Sequence, residues 1–208
     1  CHEHAAAKVF VIRSELGNGG FFVGIAHEID IAFENLGWHR ERIIGYDEDV
    51  DVIKRDNPDA MIIFGTGCFD ESHSGHEIFF EQMRRVGEDI DEKKKIVVVI
   101  GLGRDSTLTT LKGAGRPVHP WWNRAYKLVA SRDIDYVVSN DEKILEGKID
   151  FAEVMEKLSP DVFVVNEDDS GYEYKAKLCK KLGVKIVRVV RMVPSFLTPT
   201  SSTELIGK

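Results

Sequence analysis

The sequence predicts an α/β protein: a Rossmann-like, doubly wound parallel sheet with an N-terminal βαβ extension. Three observations carry that expectation. Short apolar runs alternate with helix-periodic segments along the whole chain, the pattern of repeated strand–helix–strand units. Residues 96–100 are five β-branched side chains in succession, as in a strand covered on both faces. With 208 residues, 43% of them hydrophobic and 30% charged, the chain has the means to bury a core.

In chain order, residues 8–12 form a first apolar run, and Phe22, Ile25, Ile29, Phe33 and Leu36 recur at helical spacing. Ile43 and Ile44 make a weak strand, and residues 50–55 a short polar helix. A strong strand at 60–64 leads to a helix at 75–86, and the strand 96–100 leads to a helix at 123–131. Strands at 136–138, 162–165 and 184–190 alternate with helices at 151–158 and 172–182, and a last helix starts at 203. Residues 47–59 carry six acidic side chains and close on the turn signal Asn57-Pro58. That shift places a boundary near residue 58, giving an N-terminal α/β extension, 1–58, and a main domain, 59–208. The boundary separates either two halves of one sheet or two units.

Charge narrows the function classes. The net charge is −7, which argues against nucleic acid as a partner. Yet residues 101–132 hold Arg104, Lys112, Arg116, Arg124, Lys127 and Arg132 against Asp105 alone, a local +5. Such an island suits a small phosphorylated ligand, or else is a solvated helix face. No apolar run approaches the roughly 20 residues that span a bilayer, and no signal-peptide pattern opens the chain, which starts at Cys1 and not Met. Position 1 therefore reads as a processing edge. The three cysteines, Cys1, Cys68 and Cys179, are far apart and lack a CxxC, so a disulfide scaffold is not expected and a reducing, cytoplasmic home is.

The chemistry concentrates after the strand at 60–64, where ligands of doubly wound sheets sit. The segment reads Gly65-Thr66-Gly67-Cys68-Phe69-Asp70-Glu71-Ser72-His73-Ser74-Gly75-His76. Small residues let backbone approach a ligand. Two histidines three apart share a helix face, and a helix N-terminus offers N–H groups to an anion.

Gly67-Cys68-Phe69-Asp70 followed by His73-Ser74-Gly75-His76 resembles the first signature of the HxGH nucleotidyltransferase superfamily. Leu111-Lys112-Gly113, Gly115-Arg116-Pro117-Val118-His119-Pro120 and Arg124 resemble the second. Asp135-Tyr136-Val137-Val138 falls where the family has its next strand, and Ser201-Ser202-Thr203 before Leu205-Ile206 resembles its C-terminal serine/threonine motif. The chain looks most like heptose-1-phosphate adenylyltransferases and the cytidylyltransferases of alcohol phosphates.

The resemblance implies that an acceptor phosphate attacks the α-phosphate of CTP or ATP and pyrophosphate leaves. His73 and His76 would hold the triphosphate and stabilise the transition state. Lys112 and Arg116 would neutralise phosphate charge, and Arg124 would reach phosphate from the next helix. Gly67, Cys68, Phe69 and Asp70 would shape the nucleotide loop, and Ser201, Ser202 and Thr203 would hold the terminal phosphates. Mg²⁺ would ride on the triphosphate, without a dedicated protein site. The partners would be a nucleoside triphosphate, a small phosphorylated substrate and, as in similar proteins, a second copy in a homodimer.

Departures from the pattern are Asn166-Glu167-Asp168-Asp169 after a strand, Trp121-Trp122, and the loop 191–200. Competing readings are a zinc site on Cys68, His73 and His76, a class I aminoacyl-tRNA synthetase fragment, and a catalytically silent nucleotide-binding sensor or assembly module. Ser201-x-x-Glu204 also reads as a plain capping box, Gly17-Asn18-Gly19-Gly20 as a plain turn, and Cys1-His2-Glu3-His4 as a frayed end.

Overall fold

The computed structural model describes residues 40–46, 48–198 and 205. The expected strand at 8–12, the helix at 22–36, the turn at 17–20 and residues 199–204 lie outside the described residues. The chain divides into a unit of residues 1–41 and a unit of residues 42–208.

The second unit holds six parallel strands: β1 (Ile43–Ile44), β2 (Met61–Gly67), β3 (Ile96–Leu102), β4 (Tyr136–Ser139), β5 (Val162–Asn166) and β6 (Lys185–Val189). Their spatial order is β1-β4-β3-β2-β5-β6. This is the expected Rossmann-like, doubly wound sheet. Strand β2 lies between β3 and β5, so the chain moves from β2 to β3 on one side and returns from β4 to β5 on the other. The strand order reverses there, which opens a crevice at the carboxyl ends of β2 and β5. The stretch ending in Asn57-Pro58 joins α1 (Val52–Asp56) to β2 within this unit, since β1 pairs with β4 and Ile53 is fully buried.

Alternation along the strands builds two cores. Met61 and Ile63 of β2, with Val98 and Ile100 of β3, face α2 (Ser74–Ile90) and α4 (Trp121–Val129). Ile62 and Phe64, with Val97 and Val99, face α1, α5 (Ala152–Leu158) and α6 (Tyr172–Leu182). Phe80 and Met83 of α2 are completely buried, a stabilisation of about 1.5–3 kcal/mol each by transfer out of water.

Periodicity finds most of these elements, and α6 has the expected ends. It does not announce α3 (Asp105–Lys112). That helix contains Thr107, Thr109 and Thr110, residues of modest helix propensity, and buries Leu108. The side chains of Thr109 and Thr110 bond back to the carbonyls of Asp105 and Ser106. The final helix is represented by Leu205, which is helical.

Candidate active site

A cleft of about 670 Å³ opens at the crevice, lined by the end of β2, the loop to α2, the α2 first turn, Lys112, Arg116, Lys148, Asp150, Asn166, Asp169, Lys175 and Arg191. Its size suits a nucleotide-sized ligand. Backbone shape at the mouth depends on Gly67, where a Cβ would lie 2.6 Å from the Phe69 ring. Phe69 itself adopts a left-handed φ of 43°. Its ring packs edge-on against His76, with centroids 5.0 Å apart.

The two histidines are stacked, with ring centroids 3.9 Å apart and an interplanar angle of 23°. The His73 backbone N–H donates to His76 Nδ1 at 3.4 Å. That bond assigns the His76 ring proton to Nε2, because a neutral imidazole that accepts at one nitrogen donates from the other. Nδ1 of His73 is buried without a hydrogen-bond partner among the described residues. Burial, and then the positive charge of Arg191, holds the His73 pKa below its usual value. Burial, then His73, Arg191 and Lys127, pushes His76 down to about 3. Both rings are therefore neutral at physiological pH. They sit at the N-terminus of a 17-residue helix, whose partial positive charge faces the cleft.

Asp70 organises the loop that carries Arg116. It is 1% exposed. One carboxylate oxygen accepts the Val118 and His119 amides at 2.8 and 3.1 Å, and the other accepts Arg116 Nε at 2.6 Å. Burial alone would raise its pKa. The two amides and the Arg116 guanidinium outweigh burial and hold it below the usual carboxylate range. Arg116 precedes a cis peptide bond to Pro117. Lys112 ends α3, where a cation is favoured by the helix dipole. Cys68 lines the cleft as a free thiol whose pKa is raised by burial, so it is not an activated nucleophile.

The structure thus gathers Gly67, Cys68, Phe69, Asp70, His73, His76, Lys112 and Arg116 around one cleft. It places Arg124 differently. Arg124 is 1% exposed, and four of its N–H donors are engaged: with the carbonyls of His119, Cys68 and Gly103 at 2.9, 2.6 and 2.9 Å, and with Asp105 Oδ1 at 2.7 Å. It ties three loops together and is not on the cleft wall. Arg104 likewise bonds the Asn140 carbonyl and stacks over Tyr46. Of the six cations in the basic island, Lys112 and Arg116 line the cleft. Lys148, Lys175 and Arg191, from later in the chain, join them there. Motif reading did not assign Lys148 or Lys175. The usable signal was position, since Lys175 lies in the first turn of the helix after β5. Trp121 is 1% exposed and Trp122 is 45% exposed. Ser201, Ser202 and Thr203 lie outside the described residues.

Among the described residues no group of three or more His, Cys, Asp or Glu side chains is placed to hold a metal. Cys68, His73 and His76 therefore do not form the zinc site considered above. The donor set fits Mg²⁺ only in the manner of a hydrated ion held chiefly by substrate phosphates, with at most one or two carboxylates. Among the described residues no helix is long and apolar enough to cross a membrane.

A paired-histidine helix start and a pinned basic loop thus meet at the crevice of a parallel sheet. The chain belongs to the family described as cytidylyltransferase-like, which it matches over residues 64–208. It is 32% identical over 206 residues to the bifunctional protein HldE of Campylobacter jejuni subsp. jejuni serotype O:2, covering 99% of this chain and 38% of that protein. It is 29% identical over 163 residues to the bifunctional protein HldE of Nitratiruptor sp., covering 77% of this chain and 30% of that protein. The chain thus spans less than two fifths of these relatives. In fold it is similar to the lipopolysaccharide core biosynthesis protein from Thermoplasma volcanium, with a TM-score of 0.50 at 23% identity, covering 62% of this chain and 95% of that one.

Proposed function

We propose that the protein transfers a nucleoside monophosphate from CTP or ATP to a small sugar phosphate, releasing pyrophosphate. The observation that carries this reading is the stacked, neutral His73–His76 pair at the N-terminus of α2, which lines one cleft together with Lys112 and Arg116. An oxygen of the acceptor phosphate attacks the α-phosphorus in line. The bond to the bridging oxygen breaks, and pyrophosphate leaves with its electron pair. This chemistry needs positioned donors and positive charge more than covalent help. His76, protonated at Nε2, donates to phosphate oxygen without adding charge. Lys112 and Arg116 offset the charge of two phosphorylated substrates. Ser201, Ser202 and Thr203 are proposed to hold the terminal phosphates. Mg²⁺, when bound, shields the triphosphate and assists pyrophosphate departure.

The resemblance to heptose-1-phosphate adenylyltransferases favours a sugar phosphate over an alcohol phosphate as acceptor. The test is pyrophosphate release with Mg²⁺, with CTP and ATP offered separately against sugar phosphates and alcohol phosphates. Turnover with one nucleotide and one acceptor class supports the reading. Silence with a nucleotide-induced rise in melting temperature supports the sensor alternative, and silence without it refutes both.

A further inference from the structure

The cleft holds one buried acid that the proposed transfer does not use. Asp150 is 8% exposed, yet it reaches the cleft wall. Its donors are few. Asn140 Nδ2 bonds it at 3.1 Å, and Thr107 Oγ lies 3.5 Å away. The single Thr107 hydrogen is better placed on the Arg104 carbonyl, at 2.9 Å. Asn140 is 1% exposed, and its Oδ1 has no partner among the described residues. The cluster therefore has more acceptors than donors. Burial raises the Asp150 pKa, and Asp141 raises it further, against bonds from Asn140, from its own amide and from Thr107. Asp141 is a contrast: its two oxygens accept the Glu153 and Val154 amides at the start of α5, so its chemistry is spent on the fold.

The turn that presents Asp150 is held firmly. Gly147 and Lys148 are both left-handed, with φ of 75° and 60°, a conformation that a lysine seldom adopts. Two hydrogen bonds and one close approach keep it there. A Cβ on Gly147 would meet Tyr174 at 2.6 Å, the Leu145 amide bonds the Ile149 carbonyl at 2.7 Å, and the Asp141 amide bonds the Asp150 carbonyl at 2.7 Å. Lys148 and Asp150, two apart, both line the cleft.

We propose that the turn of residues 147–150 reads the sugar: Asp150 accepts a hydrogen bond from a hydroxyl of the bound substrate, and Lys148 donates beside it. The inference rests on the transferase reading, which supplies two sources of such hydroxyls, the ribose of the nucleotide and the ring of the acceptor. A site built to bond a hydroxyl rejects the analogue that lacks it.

The test compares binding by calorimetry in wild type, Asp150→Asn and Lys148→Ala. The probes are ATP and CTP with their 2′- and 3′-deoxy forms, and hexose 1-phosphates with their deoxy forms. Wild type is expected to prefer one hydroxylated probe by about 10–100-fold, the scale of a hydrogen bond to a charged group. Asp150→Asn should erase that preference at unchanged melting temperature, and Lys148→Ala should weaken the same probe several-fold. Loss of preference among nucleotides assigns the ribose; loss among sugar phosphates assigns the acceptor. Wild type indifferent to deoxygenation, or Asp150→Asn retaining the preference, overturns the proposal. So does an Asp150→Asn effect confined to the Mg²⁺ requirement. Pyrophosphate release run in parallel separates the two readings. Turnover with the preference intact in Asp150→Asn sinks the turn's role alone, and a lost preference without turnover sinks the transferase alone.

Discussion

Replacing Arg124 distinguishes a loop clamp from a phosphate ligand. In Arg124→Ala the carbonyls of Cys68, Gly103 and His119 lose their donor, and Asp105 loses its partner. Hydrogen bonds to charged groups contribute about 1.5–3 kcal/mol each. Asp105 is 42% exposed in its side chain and rehydrates easily, so it adds little. The expected loss is about 3–5 kcal/mol, the range for removing one partner of a buried charged network. That is a large share of the roughly 5–15 kcal/mol that holds a domain folded. At a slope near 2 kcal/mol/M it lowers the urea midpoint by roughly 1.5–2.5 M. Arg124→Lys keeps the charge but cannot span three carbonyls with its compact ammonium group. It should recover about half the stability and still lower kcat, since the Cys68–His73 loop loses its anchor. Urea melts beside pyrophosphate-release kinetics make the measurement. The reasoning is refuted if Arg124→Ala unfolds within about 1 kcal/mol of wild type while the nucleotide KM rises tenfold and Arg124→Lys restores it.

Three further outcomes are expected. His76→Ala should lower the turnover rate by roughly 10²–10³, the scale for one transition-state donor, with the urea midpoint close to wild type at pH 7. The second concerns acid. His76 stays neutral in the fold down to about 3, whereas the unfolded chain takes up a proton near pH 6.5. The unfolded state thus binds more protons between these values, and stability falls as pH falls through that window. Wild type should lose up to about 2 kcal/mol between pH 7 and pH 5 that His76→Ala does not lose, read from urea melts at both pH values. Third, Asp70→Asn puts an amide where two backbone donors and Arg116 converge. It should cost about 2–4 kcal/mol and raise the nucleotide KM. A variant with wild-type stability and KM counts against the role given to Asp70.

Much of this was legible in the chain because local signals agreed with tertiary demands. The run Ile96–Leu102 is buried along its whole length, and five β-branched residues forecast that. The spacing of His73 and His76 forecasts that they meet at the helix start, although His73 caps α2 in an extended conformation and does not lie on its face. Helix α3 was not legible, because its threonine-rich sequence has a weak period and it is held by tertiary burial of Thr107 and Leu108. Arg124 was misleading for another reason. Motif position suggests phosphate, but Trp121, Ala125 and Leu128 flank it at three, one and four residues, which puts it on the buried face of α4. That spacing was the available warning. Asp150 and Lys148 carry no motif at all. Their meeting at the cleft depends on a turn held by the Leu145 and Asp141 amides and packed on Tyr174, 24 residues downstream of Asp150.

The guanidinium of Arg124 fastens the ends of β2, β3 and the start of α4 into one block, which carries the histidines and Arg116. The turn at 147–150 and the loop after β5 are secured by other hands: Tyr174 with Glu146, and Lys175 with Asp169. Reaction machinery and substrate reading thus hang from separate fastenings. Mutations that reshape the second set can explore new sugars while the histidine pair keeps its geometry. A lineage built on this scaffold can change what it accepts without relearning how to transfer.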